Sequence, residues 1–289
     1  MVDPTAVALD LLERRVPFCL ATVVAAGVSS GAAVGEKLVV QHGGETSGQI
    51  GSSALATAIE RLAHEQLAAG EIGMARLRAD GAPLPERRSR RGAAPDPDEV
   101  EVALEPMVPP DRLVIFGAGH IGMPLARLAS VLGYEVTVVD DRERFASRER
   151  FPDAAQVIAE PFDEAVRKTE ITPWTYLVLV TRGHEHDEST LRHVVGSPAP
   201  YIGMIGSRRR VLVVFERLRA MGVPEDFIRR IYAPIGIDIG GRTPEEIALA
   251  ILAEIVNVKR GGRAPSLRDL LPEPRLQRVR AAPGAMRSA

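Results

Sequence analysis

The sequence predicts an α/β protein in two parts, a small amino-terminal α/β domain followed by a parallel-sheet domain. Three observations carry the prediction. From Leu113 onward, short apolar runs alternate with helical segments. The first of those runs passes at once into a glycine-rich turn and an amphipathic helix. Just ahead of it Pro106, Pro109 and Pro110 interrupt the chain. Strands alternating with helices imply a parallel sheet covered on both faces, and a proline cluster does not continue a central strand. The expected domains are 1–107 and 108–263, with a loosely held tail over 264–289 that contains Pro265, Pro272, Pro274 and Pro283.

In chain order, Val7, Leu11 and Leu12 at helical spacing predict an opening amphipathic helix. An extended segment follows over 17–24 and holds the only cysteine, Cys19. One cysteine excludes an intramolecular disulfide and a cysteine-cluster metal site, and its apolar surroundings read as core packing. A Gly/Ser-rich loop leads to a second apolar run over 37–40, and a helix over 54–67 then places Leu55, Ile59, Leu62 and Ala63 on one face. Residues 78–98 lack periodicity and read as an exposed loop in which Arg78, Arg87, Arg88, Arg90 and Arg91 form a solvated face. Alternation at the start of 100–104 predicts a half-buried strand. Further strands are expected at 113–116, 136–139, 156–159, 176–180 and 201–205.

The bulk numbers bound the function. A chain of 289 residues with 45% hydrophobic content is long enough for two domains with their own cores. A net charge of -2 supplies no electrostatic footprint for nucleic acid. No basic-then-apolar leader is present, and no stretch approaches the roughly 18 apolar residues of a membrane span. The expectation is a cytoplasmic protein with no nucleic-acid or membrane partner.

Four segments could carry chemistry. Gly117-Ala118-Gly119-His120-Ile121-Gly122 follows a strand and opens a helix bearing Leu125, Leu128 and Leu132, and Asp140 ends the next strand. In a Rossmann-like fold this context gives Gly117 the tight turn, lets a phosphate approach at Gly119, and lets helix and strand pack closely at Gly122. Free N–H groups and the helix dipole then hold the anion. Asp140 stands where a carboxylate meets ribose hydroxyls, and Arg142 is an alternative acceptor of a 2′-phosphate, so NAD(P) is one candidate ligand. A turn that is purely structural is the other reading, and His120 is either a ligand cap or surface.

Beyond the fourth predicted strand, Thr181-Arg182-Gly183-His184-Glu185-His186-Asp187 lies at the carboxyl edge of the sheet. His184, His186 and Asp187 read as metal ligands, as donors to a cofactor, or as an exposed loop. Gly206-Ser207-Arg208-Arg209-Arg210 sets a cap-type serine and three arginines at a helix start, which suits an anion or a solvated helix face. At most two of those arginines can serve one ligand. Finally, Thr243-Pro244-Glu245-Glu246 predicts a capped helix over 244–259, with Asp238 and Arg242 on the loop before it as ligand candidates. No nucleophile and general base are recognisable as a pair, so catalysis has no positive support.

Taken together, Gly117 to Gly122, Val139-Asp140-Asp141-Arg142, Gly203 to Arg210 and Ala233 to Ala248 resemble the XdhC and CoxI family of molybdenum-enzyme maturation factors. Gly35-Glu36-Lys37-Leu38 and Gly48-Gln49-Ile50-Gly51 extend the resemblance to the amino-terminal half. The family's Gly-Gly-Cys or Gly-Gly-His segment is replaced here by Ser52-Ser53-Ala54, and its Cys-Gly-Gly by Gly92-Ala93-Ala94. The resemblance implies an accessory protein that binds molybdenum cofactor (molybdopterin), protects it during terminal sulfuration and delivers it to xanthine dehydrogenase or a related molybdenum hydroxylase. It also implies a cysteine desulfurase as partner and a homodimer. An NAD(P)-dependent oxidoreductase using the same turn, with Asp140 at the ribose, is the rival reading, and a dinucleotide-sensing regulatory module is a third.

Overall fold

A computed structural model describes residues 3–85 and 95–264. Arg87, Arg88, Arg90 and Arg91 of the expected loop, and the expected tail from Pro265, lie outside the described residues.

The amino-terminal half contains α1 (Pro4–Glu13), β1 (Phe18–Ala26), β2 (Lys37–Gln41), β3 (Thr46–Gly48), α2 (Ser53–Ala69), β4 (Gly73–Arg78) and β5 (Glu99–Met107). Its strands form one antiparallel sheet in the order β3-β2-β1-β5-β4. Leu55, Ile59, Ala63 and Leu67 recur along one stripe of α2 and are buried. They pack on Cys19, Ala21, Val23, Val100, Val102 and Leu104, which alternate inward along β1 and β5. Ser52 caps the start of α2, and Gly70 closes its end in a left-handed conformation (φ +65°). Cys19 is fully buried, and burial pushes its thiol up to about 11. In α1 it is Ala8 and Leu11 that are buried. Leu12, expected on that face, is 50% exposed, because the helix is laid down on a single stripe. Arg78 of the expected solvated loop ends β4 and pairs with Asp98 at 2.6 Å.

The carboxy-terminal half runs β6 (Arg112–Phe116), α3 (Gly122–Val131), β7 (Glu135–Val139), β8 (Gln156–Ile158), α4 (Phe162–Lys168), β9 (Thr175–Leu179), α5 (His184–His193), β10 (Tyr201–Met204), α6 (Arg208–Ala220), α7 (Glu225–Arg229), β11 (Ile231–Tyr232) and α8 (Pro244–Lys259). All five strand pairs are parallel, in the order β11-β10-β9-β6-β7-β8. Counted from β6 as strand 1, this is the 3-2-1-4-5-6 order of a doubly wound Rossmann fold. Leu113 and Ile115 face a core shared with α3 and α8. Val114 and Phe116 face a second core with α4, α5, α6 and α7. A strand apolar on both faces is what a helix layer on each side requires.

The two halves touch. The His42 ring meets Trp174 edge-on at 5.0 Å between centroids, and Arg260 reaches Glu71 at 2.8 Å. Among the described residues no helix is long and apolar enough to cross a membrane.

Candidate functional site

The sheet sends β7 to one side of β6 and β9 to the other, so the chain reverses direction across the sheet between β6 and β9. A crevice outside the carboxyl ends of the strands opens at such a reversal, and ligands of open α/β sheets gather there. The loops after β6, β9 and β10 lie side by side along this edge.

The loop after β6 is Gly117 to Ile121. Gly117 has φ +118°, and a Cβ there would stand 2.5 Å from the Val180 carbonyl, so only glycine lets this loop lie against the end of β9. A Cβ on Gly122 would collide with the Gly117 carbonyl, which explains the close approach of α3 to its strand. At Gly119 a Cβ would meet nothing within 4 Å, so this position faces open space. Ile121 precedes α3 without a side-chain cap; the Met123 N–H donates to the Gly119 carbonyl at 3.2 Å, and Pro124 has no N–H to offer. His120 is exposed.

Asp140 sits where expected in the chain, yet its carboxylate is turned inward and 1% exposed. The Ala118 N–H donates to Oδ2 at 2.9 Å. Arg142 Nη2 also donates to Oδ2, at 3.0 Å, while its Nε (2.8 Å) and backbone N–H (3.1 Å) donate to Oδ1. Burial raises the carboxyl's pKa, but these bonds from Arg142 and Ala118 outweigh it and hold the group below the usual carboxylate range. Arg142 is occupied in turn, with its guanidinium 3.5 Å from the Phe145 ring centroid. In this structure both expected ligand groups are engaged, the Asp140 carboxylate by Ala118 and Arg142, and Arg142 by Asp140 and Phe145. The pair braces the glycine turn from below.

The loop after β9 departs from its expectation in the same way. Asp187 is fully buried, receiving Thr181 Oγ1 at 2.5 Å on one oxygen and an Arg210 guanidinium N–H on the other. Burial pushes its carboxyl above the ordinary value in spite of those partners. His186 packs against Phe162 with centroids 5.0 Å apart. The backbone of His184 begins α5 behind the uncapped Gly183, and its side chain lies outside the described residues. Among the described residues no three His, Cys, Asp or Glu side chains are grouped to hold a metal.

At the end of β10, Ser207 caps α6 by accepting the Arg210 N–H at 3.3 Å. Arg208 and Arg209 are exposed on the first turn of that helix. Arg210 is the inward member: it ties the loop after β10 to Asp187 in the loop after β9, and its Nε is buried without a partner among the described residues. Sequence reasoning missed this role. The signal was present, since Arg210 lies one turn before Val214 on the buried stripe of α6. Asp238 is exposed and accepts the Gly240 N–H at 3.2 Å, closing its own turn. Arg182 reaches from the loop after β9 to Asp141 beyond β7 at 3.2 Å, passing across the end of β6.

The edge thus combines an open glycine, two uncapped helix starts and two exposed arginines, a set of donors suited to an anionic group. Two family models match the chain. The model described as "XdhC Rossmann domain" matches residues 113–255, and that described as "XdhC and CoxI family" matches residues 11–78. The chain is 37% identical over 149 residues to "Uncharacterized protein YqeB" of Escherichia coli K12, covering 51% of this chain and 27% of that protein. It is 31% identical over 157 residues to a probable xanthine dehydrogenase subunit of Bacillus subtilis 168, covering 54% and 46% respectively. With "Molybdenum cofactor insertion chaperone PaoD" of Escherichia coli K12 it shares 25% identity over 159 residues, covering 55% and 42%. The chain therefore spans less than half the length of each of these relatives. With both halves matched in chain order, the protein belongs to the XdhC and CoxI family.

Proposed function

We propose that this protein is an accessory factor that binds molybdenum cofactor as cargo, shields it during terminal sulfuration, and passes it to xanthine dehydrogenase or a related molybdenum hydroxylase. The observation that carries the reading is the open crevice at Gly119, beside an uncapped helix start and the exposed Arg208 and Arg209. The phosphate of a pterin cofactor fits such donors. The names of two relatives, a molybdenum cofactor insertion chaperone and a xanthine dehydrogenase subunit, point the same way.

In this reading the backbone at Gly119 and the start of α3 receive the phosphate. The arginines at the start of α6 neutralise charge from the neighbouring loop, and the Asp140–Arg142 pair keeps the turn in shape. The chain's only cysteine is buried and its thiol is pushed up to about 11, which makes it a poor sulfur acceptor. The sulfur then comes from a partner, a cysteine desulfurase, and the working form is a homodimer. The NAD(P)-dependent reading needs a carboxylate free for the ribose, and Asp140 spends its lone pairs on Ala118 and Arg142.

The test is a titration of the purified protein with molybdenum cofactor and, in parallel, with NAD(H) and NADP(H). Gly119→Val should weaken cofactor binding by at least about tenfold, equivalent to about 1.4 kcal/mol, with no loss of fold by circular dichroism. Equal affinity of the variant would sink the reading, as would tight dinucleotide binding with none of the cofactor.

A further inference from the structure

Ligands of a doubly wound sheet gather at the carboxyl ends of its strands. The opposite edge of this sheet holds a cavity of about 470 Å³ that the proposed function leaves unused. Asp111, Trp174 and Pro200, which stand immediately before β6, β9 and β10, line it from the carboxy-terminal half. Leu67 to Gly70, at the end of α2, line it from the amino-terminal half, so the cavity lies at the seam. Leu132, expected on the inward stripe of α3, falls one residue past that helix and is 54% exposed on the same wall. The volume is within the roughly 300–1,000 Å³ of small-molecule sites, which favour such interfaces.

Each half brings to the cavity hydrogen-bonding groups that no described residue satisfies. Tyr176 lines it from β9 with only 4% of its surface exposed, its ring edge-on to Tyr134 at 5.7 Å between centroids. Among the described residues no group hydrogen-bonds its hydroxyl. Burial pushes that phenol well above its ordinary range, so it stays protonated and able to donate at physiological pH. From the other half come the last carbonyls of α2. The Gly70 N–H donates to the Gln66 carbonyl, and the carbonyls of Leu67, Ala68 and Ala69 beyond it take no hydrogen bond from any described residue. The cations on the wall are already paired, Lys259 with Asp111 and Arg260 with Glu71, so a charged ligand finds no free counter-ion. Trp174 adds aromatic surface, which suits a flat ring.

We propose that this cavity is a second binding site, for a neutral, planar bicyclic lactam whose carbonyl accepts from the Tyr176 hydroxyl and whose ring N–H donates to the last carbonyls of α2. The ring lies against Trp174, and one small molecule thereby joins the two halves. The site stands at the edge of the sheet away from the glycine turn and does not rest on the cargo reading.

Isothermal titration calorimetry of the full-length protein tests the proposal with carbostyril, a bicyclic lactam, and with its N-methyl derivative, which keeps the carbonyl and lacks the N–H. Saturable binding of carbostyril is expected, weakened roughly fivefold by Tyr176→Phe, the scale of one neutral hydrogen bond, with the N-methyl derivative weaker still. Ala69→Trp, at an exposed position on the cavity wall, should abolish binding while leaving molybdenum cofactor affinity unchanged. That variant decides the matter if Tyr176→Phe disturbs the core. The proposal is overturned by a wild type that shows no saturable binding of carbostyril, by unchanged affinity in a folded Tyr176→Phe protein, or by binding that survives Ala69→Trp. Equal affinity for the two probes overturns it as well, since the α2 carbonyls then receive nothing.

Discussion

Two aspartates at the edge of the parallel sheet show how environment decides what a carboxylate does. Asp140 is held below its ordinary pKa by Arg142 and the Ala118 N–H, so its contribution to stability is present above about pH 3.9. It is lost as the pH falls toward the depressed folded value. Asp140→Asn should therefore lower stability at neutral pH and flatten the acid limb of the unfolding curve; denaturant titrations between pH 7 and pH 3 check both. Asp187 has the opposite shift: burial makes its charged form costly, and Arg210 is the cation that offsets the cost. Arg210→Met should destabilise by about 3 kcal/mol near neutrality, in the range for a buried carboxylate left alone. The deficit should shrink on acidification as Asp187 takes up a proton. The glycines divide in the same manner. Gly117→Ala meets a positive φ and the Val180 carbonyl, and should cost roughly 2–4 kcal/mol by thermal unfolding. Gly119→Ala meets open space and should change stability by less than about 1 kcal/mol. The sequence could place Asp140 and Arg142 at the edge, but their side-chain directions depend on packing. Two residues of separation let them pair with each other as readily as with a nucleotide.

Elements were legible where local chemistry fixes them. Thr243, Pro244 and Glu246 announce the start of α8, and the structure contains that capping box, with the Glu246 N–H donating to Thr243 Oγ1 at 3.2 Å. Thr243→Ala should cost about 1 kcal/mol in chemical denaturation, while α8 keeps its length by circular dichroism. The long strands were equally visible, because β6, β7 and β9 are apolar on both faces. β3 and β11 were not, since Thr46-Ser47-Gly48 holds no apolar residue and a run of two residues has no pattern to read. β4 was missed for a different reason: Met74 and Arg76 are held by pairing with β5, a partner distant in sequence. The three consecutive arginines of α6 required a helical phase, and the buried stripe at Val211, Val214 and Leu218 supplies it, turning Arg210 inward and Arg208 and Arg209 out.

At the scale of the whole molecule, alternation of strands and helices predicts a parallel sheet but leaves its strand order open. The reversal between β6 and β9, which creates the candidate site, is a property of topology that no local pattern encodes. The antiparallel pairing of the first sheet likewise became visible only with the register of β1 between β2 and β5. The contact between the two halves has a practical result. Trp174 is the chain's sole indole and lies against His42, so emission excited where the four tyrosines do not absorb comes from that seam. If the halves separate before either melts, emission will move to longer wavelength at a lower urea concentration than the loss of helical ellipticity. Coincident transitions would mean that they come apart as one unit.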